Sequence, residues 1–505
     1  MPAMIKLHKN LGEGTMANSL SKKGLVFCTV LLLAGIALLP GICCGASILG
    51  TSSSFGNTFY VGGGPGRYSS IQSAINAANN GDTVFVYDDL SPYYENIIID
   101  KSISLEGEDK NTTIIDGSGN KDVVYVSADG VAISGFTVRN GGNDWIDAGI
   151  KLVSDYNTVT GNIVTDSNFG VYSYNLEYST ISGNLITDNA DSGINLPFSS
   201  DNTISGNTII GNNNYGIFLY DSSLNGTSQV LKNVVTNNHY GIYLWHTNNI
   251  DIHWNTVTES EAGIQLFHGS KNNIIYGNNI ANNKYGIKFN TSSYNKIYWD
   301  NIISDNKYGI YYNSVSYSNI YDGNIFTGND YGIYLSQSSF NNIYDGNIFT
   351  GNDYGICLLH SPNNEIHENE VTNNEYGVSL DFSSSNDLYG NSIGGNGYGI
   401  YISDSSNNEI YLNDITGNYQ AGLHLCFCRS SKIAFNNFIT NYVPAYFEQS
   451  FLSSSLWKQN YWDVWGGNGP QLIYGELSFL GGLISMDEWP NFDLRPAEQP
   501  YEIIR

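Results

Sequence analysis

Asp221, His246 and His268 each stand five residues after a glycine (Gly216, Gly241 and Gly263) in three successive stretches of the chain. Residues at the same place in stacked units line up, so the three should adjoin. His253, Asp251, Glu259 and Glu261 lie nearby in sequence, together with Trp245 and Trp254. Imidazoles beside carboxylates are the usual means of moving protons at a glycosidic bond, and flat indole faces with a few placed polar groups suit sugar rings. The stretch Tyr220–His268 is therefore expected to be a polysaccharide groove. Its candidate catalytic residues are Asp221, His246, His253 and His268; its candidate binding residues are Trp245, Trp254, Asp251, Glu259 and Glu261. His253, two residues before Asn255, is expected to face outward. The bland alternative is a turn filler, because Phe198, Thr291, Ser314 and Phe382 hold the same place elsewhere.

A second cluster is LHLCFCR. Strand alternation from Leu423 and Leu425 sends His424, Cys426 and Cys428 outward and Phe427 inward, a soft donor set for copper(I) or zinc. Successive outward residues stand ~6.6 Å apart along a strand, so the three form a line. Asp322 over Asp345 and Asp330 over Asp353 offer calcium a carboxylate pair, short of the six to eight oxygens it takes.

Such residues are positioned by a repeat. NIYDGNIFTGNDYGI occurs at Asn319–Ile333 and again, unchanged, at Asn342–Ile356. A glycine followed by an aliphatic residue recurs thirteen times from Gly149 to Gly422, at steps of 21 to 25 residues. An asparagine series runs alongside it from Asn162, Asn184 and Asn207 to Asn413 and Asn436. The pieces between turns, such as YGIYL and NTIS, are too short for helices and alternate aliphatic with polar. Three short strands and three turns fill such a period, which defines an all-β fold, a single-stranded right-handed parallel β-helix. Stacked asparagines should form amide ladders. They are also expected to take the left-handed backbone at corners, with the repeated glycine doing the same at another. Tyr before the glycine, successive from Tyr285 to Tyr398, should make an aromatic stack.

The divisions follow. Residues 1–46 carry Lys22 and Lys23, an apolar run and PGICCGAS, which reads as a signal peptide, an uncleaved anchor being the alternative. Residues 47–148 form an N-terminal cap and first irregular coils, with a capping helix over Ser69–Asn80 whose stripe is Ile71, Ala74, Ile75 and Ala78. Residues 149–440 are the regular coils. Residues 441–505 are an irregular C-terminal cap in which Tyr442, Trp457, Tyr461, Trp462, Trp465 and Trp489 cover the open end. A net charge of −26 disfavours nucleic acid and anionic membrane, so membrane contact is left to the N-terminal segment alone. Past the leader only Cys357, Cys426 and Cys428 remain. Cys357 and Cys426 are three coils apart, ~14 Å, too far to bridge.

The N-x-I-x-x-N…YGIYL unit resembles the repeat of the NosD and pectin-lyase-like β-helix proteins, common in secreted archaeal and bacterial proteins. The lead-in YSSIQSAINAANNGDTVFVYDD and the ending NYWDVWGGNGP resemble that family's opening and closing segments. The resemblance implies a secreted or cell-surface protein and, through NosD, assistance to copper-site assembly in a reductase. Pectate-lyase-like enzymes are expected to use an Arg or Lys base facing aspartate-bound calcium, yet no arginine lies between Gly149 and His424. Three function classes follow: first a recognition scaffold for polysaccharide or a surface protein, then a carbohydrate-active enzyme, then a copper-enzyme maturation factor.

Overall fold

The strands Asn319–Tyr321, Ile325–Thr327 and Tyr331–Ser336 make up one coil. Each pairs in parallel with its counterpart one coil before and one coil after. Repetition builds three parallel sheets, here the first, second and third in that order, over about 17 turns. The computed structural model describes residues 56–503, apart from 224–225, 451–454, 468–469 and 480–483. The leader expected over 1–46 lies outside the described residues. Among those described, no helix is long and apolar enough to cross a membrane.

The register is set by what each strand turns inward. Ile320 lies over Ile343, Phe326 over Phe349 and Ile333 over Ile356, all fully buried. A slip by one residue would put those side chains in water. Phe326 and Phe349 stack with ring centroids 4.6 Å apart and planes 4° from parallel.

Corners pose a harder problem, because their buried backbone groups fall outside the strand ladders and still need partners. Asparagines supply them. Asn301 Nδ2 donates to Asn324 Oδ1 at 2.7 Å, and Asn324 Nδ2 donates to Asn347 Oδ1 at 2.8 Å and to the Tyr321 carbonyl at 2.8 Å. In most coils the ladder oxygen also accepts a backbone N–H from the coil before, as Asn301 Oδ1 does from Asn278 at 3.0 Å. A second ladder runs five residues on, through Asn306, Asn329 and Asn352. A third passes through Asn341, Asn364 and Asn386. A fourth consists of hydroxyls, where Ser338 N–H donates to Ser361 Oγ and Ser361 N–H to Ser383 Oγ, both at 3.0 Å.

Two expectations about backbone are corrected here. The ladder asparagines are not left-handed; the residue before them is, as in Gly161 (φ 65°), Lys232 (φ 55°) and Leu412 (φ 55°). The Asn needs a conformation that turns its amide inward, and the preceding residue makes the bend. Nor does the repeated glycine sit at a left-handed corner. It lies inside the third-sheet strand, where a Cβ on Gly332 would stand 2.5 Å from the Gly355 carbonyl oxygen. Close approach of neighbouring coils, and not turning, excludes a side chain there. The tyrosine stack before it forms as expected, at 5.1, 5.1, 4.8, 4.7 and 5.2 Å from Tyr285 to Tyr398.

At the N-terminal side the helix Ile71–Ala77 is capped by Ser70, whose side chain accepts from Ser73 N–H, and buries Ile71, Ala74 and Ile75. It packs on the strands Thr58–Val61, Thr83–Val86 and Ile97–Ile99. Beyond residue 440 the coil geometry continues to Tyr461–Trp462, and Asn436 Nδ2 still finds Asn460 Oδ1 at 3.0 Å. Trp457 and Trp462 are buried, whereas Tyr442 is 82% exposed. The side chain of Trp489 lies outside the described residues.

The ladder has a measurable weight. Asn324 is fully buried, so Asn324→Leu strands the amide of Asn301 and the carbonyl of Asn347. Chemical denaturation of this variant should show a loss of about 1–3 kcal/mol. A value near zero would mean that these amides exchange their partners for water.

Candidate functional site

Asp221, His246 and His268 do come together. Each takes a left-handed backbone (φ 48°, 49° and 55°) at the corner that ends a third-sheet strand. That bend turns the side chain out of the coil, while the following Ser222, Thr247 and, two residues after His268, Ser270 turn in to the hydroxyl ladder. Asp221 Oδ1 contacts His246 Nδ1, and the His246 and His268 rings stand 6.4 Å apart. One residue earlier on each strand, Tyr220, Trp245 and Phe267 form an outward aromatic column, with centroids 6.1 and 5.2 Å apart. Tyr220, Asp221, Trp245, His246 and His268 line an open pocket of about 390 Å³. The Asp221 carboxylate beside Tyr220 raises its phenol above the usual value.

The remaining candidates lie elsewhere. Asp251, His253 and Trp254 belong to the first sheet and its following corner, and Trp254 is 48% exposed beneath Lys232. His253 faces outward as expected, yet it is only 5% exposed. Its side chain does leave the coil, but it enters a stack in which Tyr276 lies 4.5 Å away and 5° from parallel. The stack continues through Tyr298, Tyr321, Tyr344, His367, Tyr389 and Tyr411. Burial holds the His253 imidazole below its ordinary pKa and raises that of Asp251. Glu259 and Glu261 sit at the corner leading into the third sheet, with Glu261 paired to Lys284 at 2.7 Å. The five pocket residues therefore make one site, and the other carboxylates make none with it.

The line of His424, Cys426 and Cys428 is broken. Phe427 is left-handed (φ 51°) and 43% exposed, and Cys428 turns inward and is fully buried. Alternation holds only within the strand Ala421–Cys426; the corner after it reverses the sense. Cys428 occupies the hydroxyl-ladder position, where its thiol donates to the Ile402 carbonyl at 3.3 Å. His424 and Cys426 instead flank Glu448 of the next coil, which the sequence did not single out. His424 Nε2 lies 3.3 Å from one carboxylate oxygen, and Cys426 Sγ lies 3.6 Å from the other. Burial and the nearby carboxylate push the Cys426 thiol up to about 11, so it stays protonated. Among the described residues no three His, Cys, Asp or Glu side chains are arranged to hold a metal ion.

Comparison with known proteins agrees with the fold. The family described as periplasmic copper-binding protein (NosD) matches residues 224–349 and 299–478, and the right handed beta helix region matches residues 102–257. No curated protein matches the chain. Among solved structures, the A-module of mannuronan C-5 epimerase AlgE4 from Azotobacter vinelandii is 13% identical, covering 74% of this chain and 92% of its own, at a TM-score of 0.30. DFA-IIIase from Arthrobacter chlorophenolicus A6 is 15% identical, covering 66% and 94%, at 0.35. An alginate lyase from Paenibacillus is 18% identical, covering 62% and 99%, at 0.21.

Burial of His253 yields a pH signature. Its folded-state pKa lies below the unfolded one, so the unfolded chain takes up the proton first. Stability is then complete above about pH 6.5 and falls as pH drops through that value. His253→Tyr, which extends the stack with the residue the next coil uses, should remove a slope of at most about 1.4 kcal/mol per pH unit. Denaturation midpoints of the two proteins between pH 5 and 8 check this; parallel curves would place the imidazole in water.

Proposed function

Because this chain belongs to the family described as periplasmic copper-binding protein (NosD), with its right-handed β-helix, we propose that it works outside the cytoplasm as a recognition scaffold. The ligand is a polysaccharide held at the corner pocket between Tyr220 and His268. One observation carries this reading. Residues that depart from the repeat in three successive coils converge on one cavity, and they combine flat aromatic faces with hydroxyl-binding groups. That combination is the usual composition of a sugar site.

The pocket is better built for binding than for bond cleavage. Glycoside hydrolysis needs two carboxyl groups flanking the bond; among the described residues lining the pocket Asp221 is the one carboxylate, while Asp251, Glu259 and Glu261 stand on other parts of the coil. His246 is half exposed, so bulk water reaches the Asp221–His246 pair. The pair itself still favours a second reading, acid–base catalysis in which Asp221 orients the imidazole and His246 moves the proton.

Copper, implied by the family description, finds no matching donor set among the described residues. His424 and Cys426 share Glu448 but do not converge with it as a three-ligand cluster, and Cys428 is in the core. No step of the proposed function runs through a metal.

Trp245→Ala tests the assignment. Retention on immobilised polysaccharide should weaken about tenfold, ~1.4 kcal/mol, with the melting temperature little changed. Asp221→Asn and His246→Ala should alter product formation only under the catalytic reading. Equal retention of Trp245→Ala and the unaltered protein, on whichever glycan binds, would remove the pocket from the ligand's path.

A further inference from the structure

Down the third sheet each coil from Tyr285 to Tyr398 presents two outward columns, the tyrosine before the glycine and the residue two after the glycine. Around the middle coils, where both are aromatic, the rings pack edge to face: Tyr308 on Tyr311 at 5.2 Å, Tyr331 on Tyr334 at 5.1 Å, Tyr398 on Tyr401 at 5.7 Å. The second column runs in register Tyr311, Tyr334, Cys357, Ser379, Tyr401. At Cys357 and Ser379 the ring is missing from two adjacent coils. What remains is a hollow of about 380 Å³, two coils or ~10 Å along the axis. Tyr334 and Tyr401 bound its ends, Tyr354 and Tyr376 form one side, and Asp381 and Ser403 form the other.

The hollow has a definite chemistry. No lysine or arginine lines it. Burial keeps the Cys357 thiol protonated, pushed up to about 12, so the floor is a neutral thiol and a serine hydroxyl. Burial and the neighbouring Asp404 raise the Asp381 carboxyl above its usual range. Aromatic faces attract CH groups and ammonium ions and repel anions. Asp381 adds an acceptor for hydroxyl or amine and a further obstacle to a carboxylate.

We propose that this hollow is a second glycan subsite, which takes one glycosyl unit of a neutral or amino-bearing polysaccharide in place of the missing ring and rejects uronates. The proposal rests on the polysaccharide reading of the corner pocket and extends it. Trp245, Phe267, Asn290, Asn313, Ser336 and Leu359 lie in one outward register column. The two sites are thus on one side of the solenoid, five coils or ~24 Å apart. A single glycan several units long reaches both, and linked subsites gain affinity with chain length.

The test fills the hollow with the repeat's own residue. Cys357→Tyr puts a ring where Tyr334 and Tyr401 already have one, and Ser379→Tyr does so one coil on, serving if the first variant misfolds. Calorimetry on the full chain uses cellohexaose and mannohexaose as neutral probes, a glucosamine hexamer as the amino probe and hexagalacturonate as the anionic one. The expected result is binding of a neutral or amino probe, none of the uronate, and at least a tenfold loss in the filled variants at an unchanged or higher melting temperature. Unaltered affinity in a folded filled variant overturns the subsite, and if Trp245→Ala still loses binding, the polysaccharide reading stands without it. Preference for the uronate also overturns the subsite. No binding of any probe overturns the subsite, and the polysaccharide reading falls with it when immobilised polysaccharides are not retained either.

Discussion

Buried backbone amides at the corners of each coil are the constraint from which the rest of this structure follows. A strand satisfies its amides against the next coil, and so does the left-handed corner residue, but the residue turned inward after it does not; an unpaired buried group costs as much as a lost hydrogen bond. Side chains therefore do at the corners what backbone does in the sheets. Asn suits the task because one amide both accepts and donates, passing the pattern from coil to coil. Once Asn301 or Asn306 is turned inward, the residue before it, Asp300 or Asp305, is bent into the left-handed region and projects outward. The sequence repeats because the hydrogen-bonding problem does.

That division of labour also determines where recognition can arise. Inward positions are committed to aliphatic stacks or ladders and accept little change. Outward corner residues carry no such duty, so Asp221, His246 and His268 replace one another's neighbours at one corner without disturbing Ser222 or Thr247 beneath them. The third sheet behaves alike: Cys357 and Ser379 stand where Tyr334 and Tyr401 stand, over the same buried Ile356 and Val378. Function on a solenoid is written in departures from the period, at sites where departures are mechanically free.

Much of this was legible in the sequence, for the reason that a period can be compared column against column. Three strands per coil, the amide partners of Asn324, the tyrosine stack and the convergence of Asp221, His246, His268 and Trp245 all follow from position within the repeat. Failures came from arguing along the chain. Alternation from Leu423 sent Cys428 outward, yet the left-handed bend at Phe427 resets alternation, and the column Ser383, Ser405, Cys428 assigns it to the core. His253 was treated as free because its strand turns it out, although its column neighbours Tyr276 and Tyr298 close over it. Glu448 was unreadable from its own neighbourhood, since it meets His424 and Cys426 only across coils.

The two identical stretches at Asn319–Ile333 and Asn342–Ile356 have a consequence for the gene as much as for the fold. Their contacts are interchangeable: Asn301 would meet Asn347 as it now meets Asn324, and Tyr308 would stack on Tyr354 as it now stacks on Tyr331. Recombination between the copies would excise 23 residues and shorten the solenoid by one coil, leaving the contacts of the repeated stretch unchanged while Tyr311 exchanges Tyr334 for Cys357 as its neighbour. Unequal exchange in the other direction would lengthen it by the same step. A change of length by this route comes in whole coils, and each step moves outward positions on either side of it by ~4.8 Å.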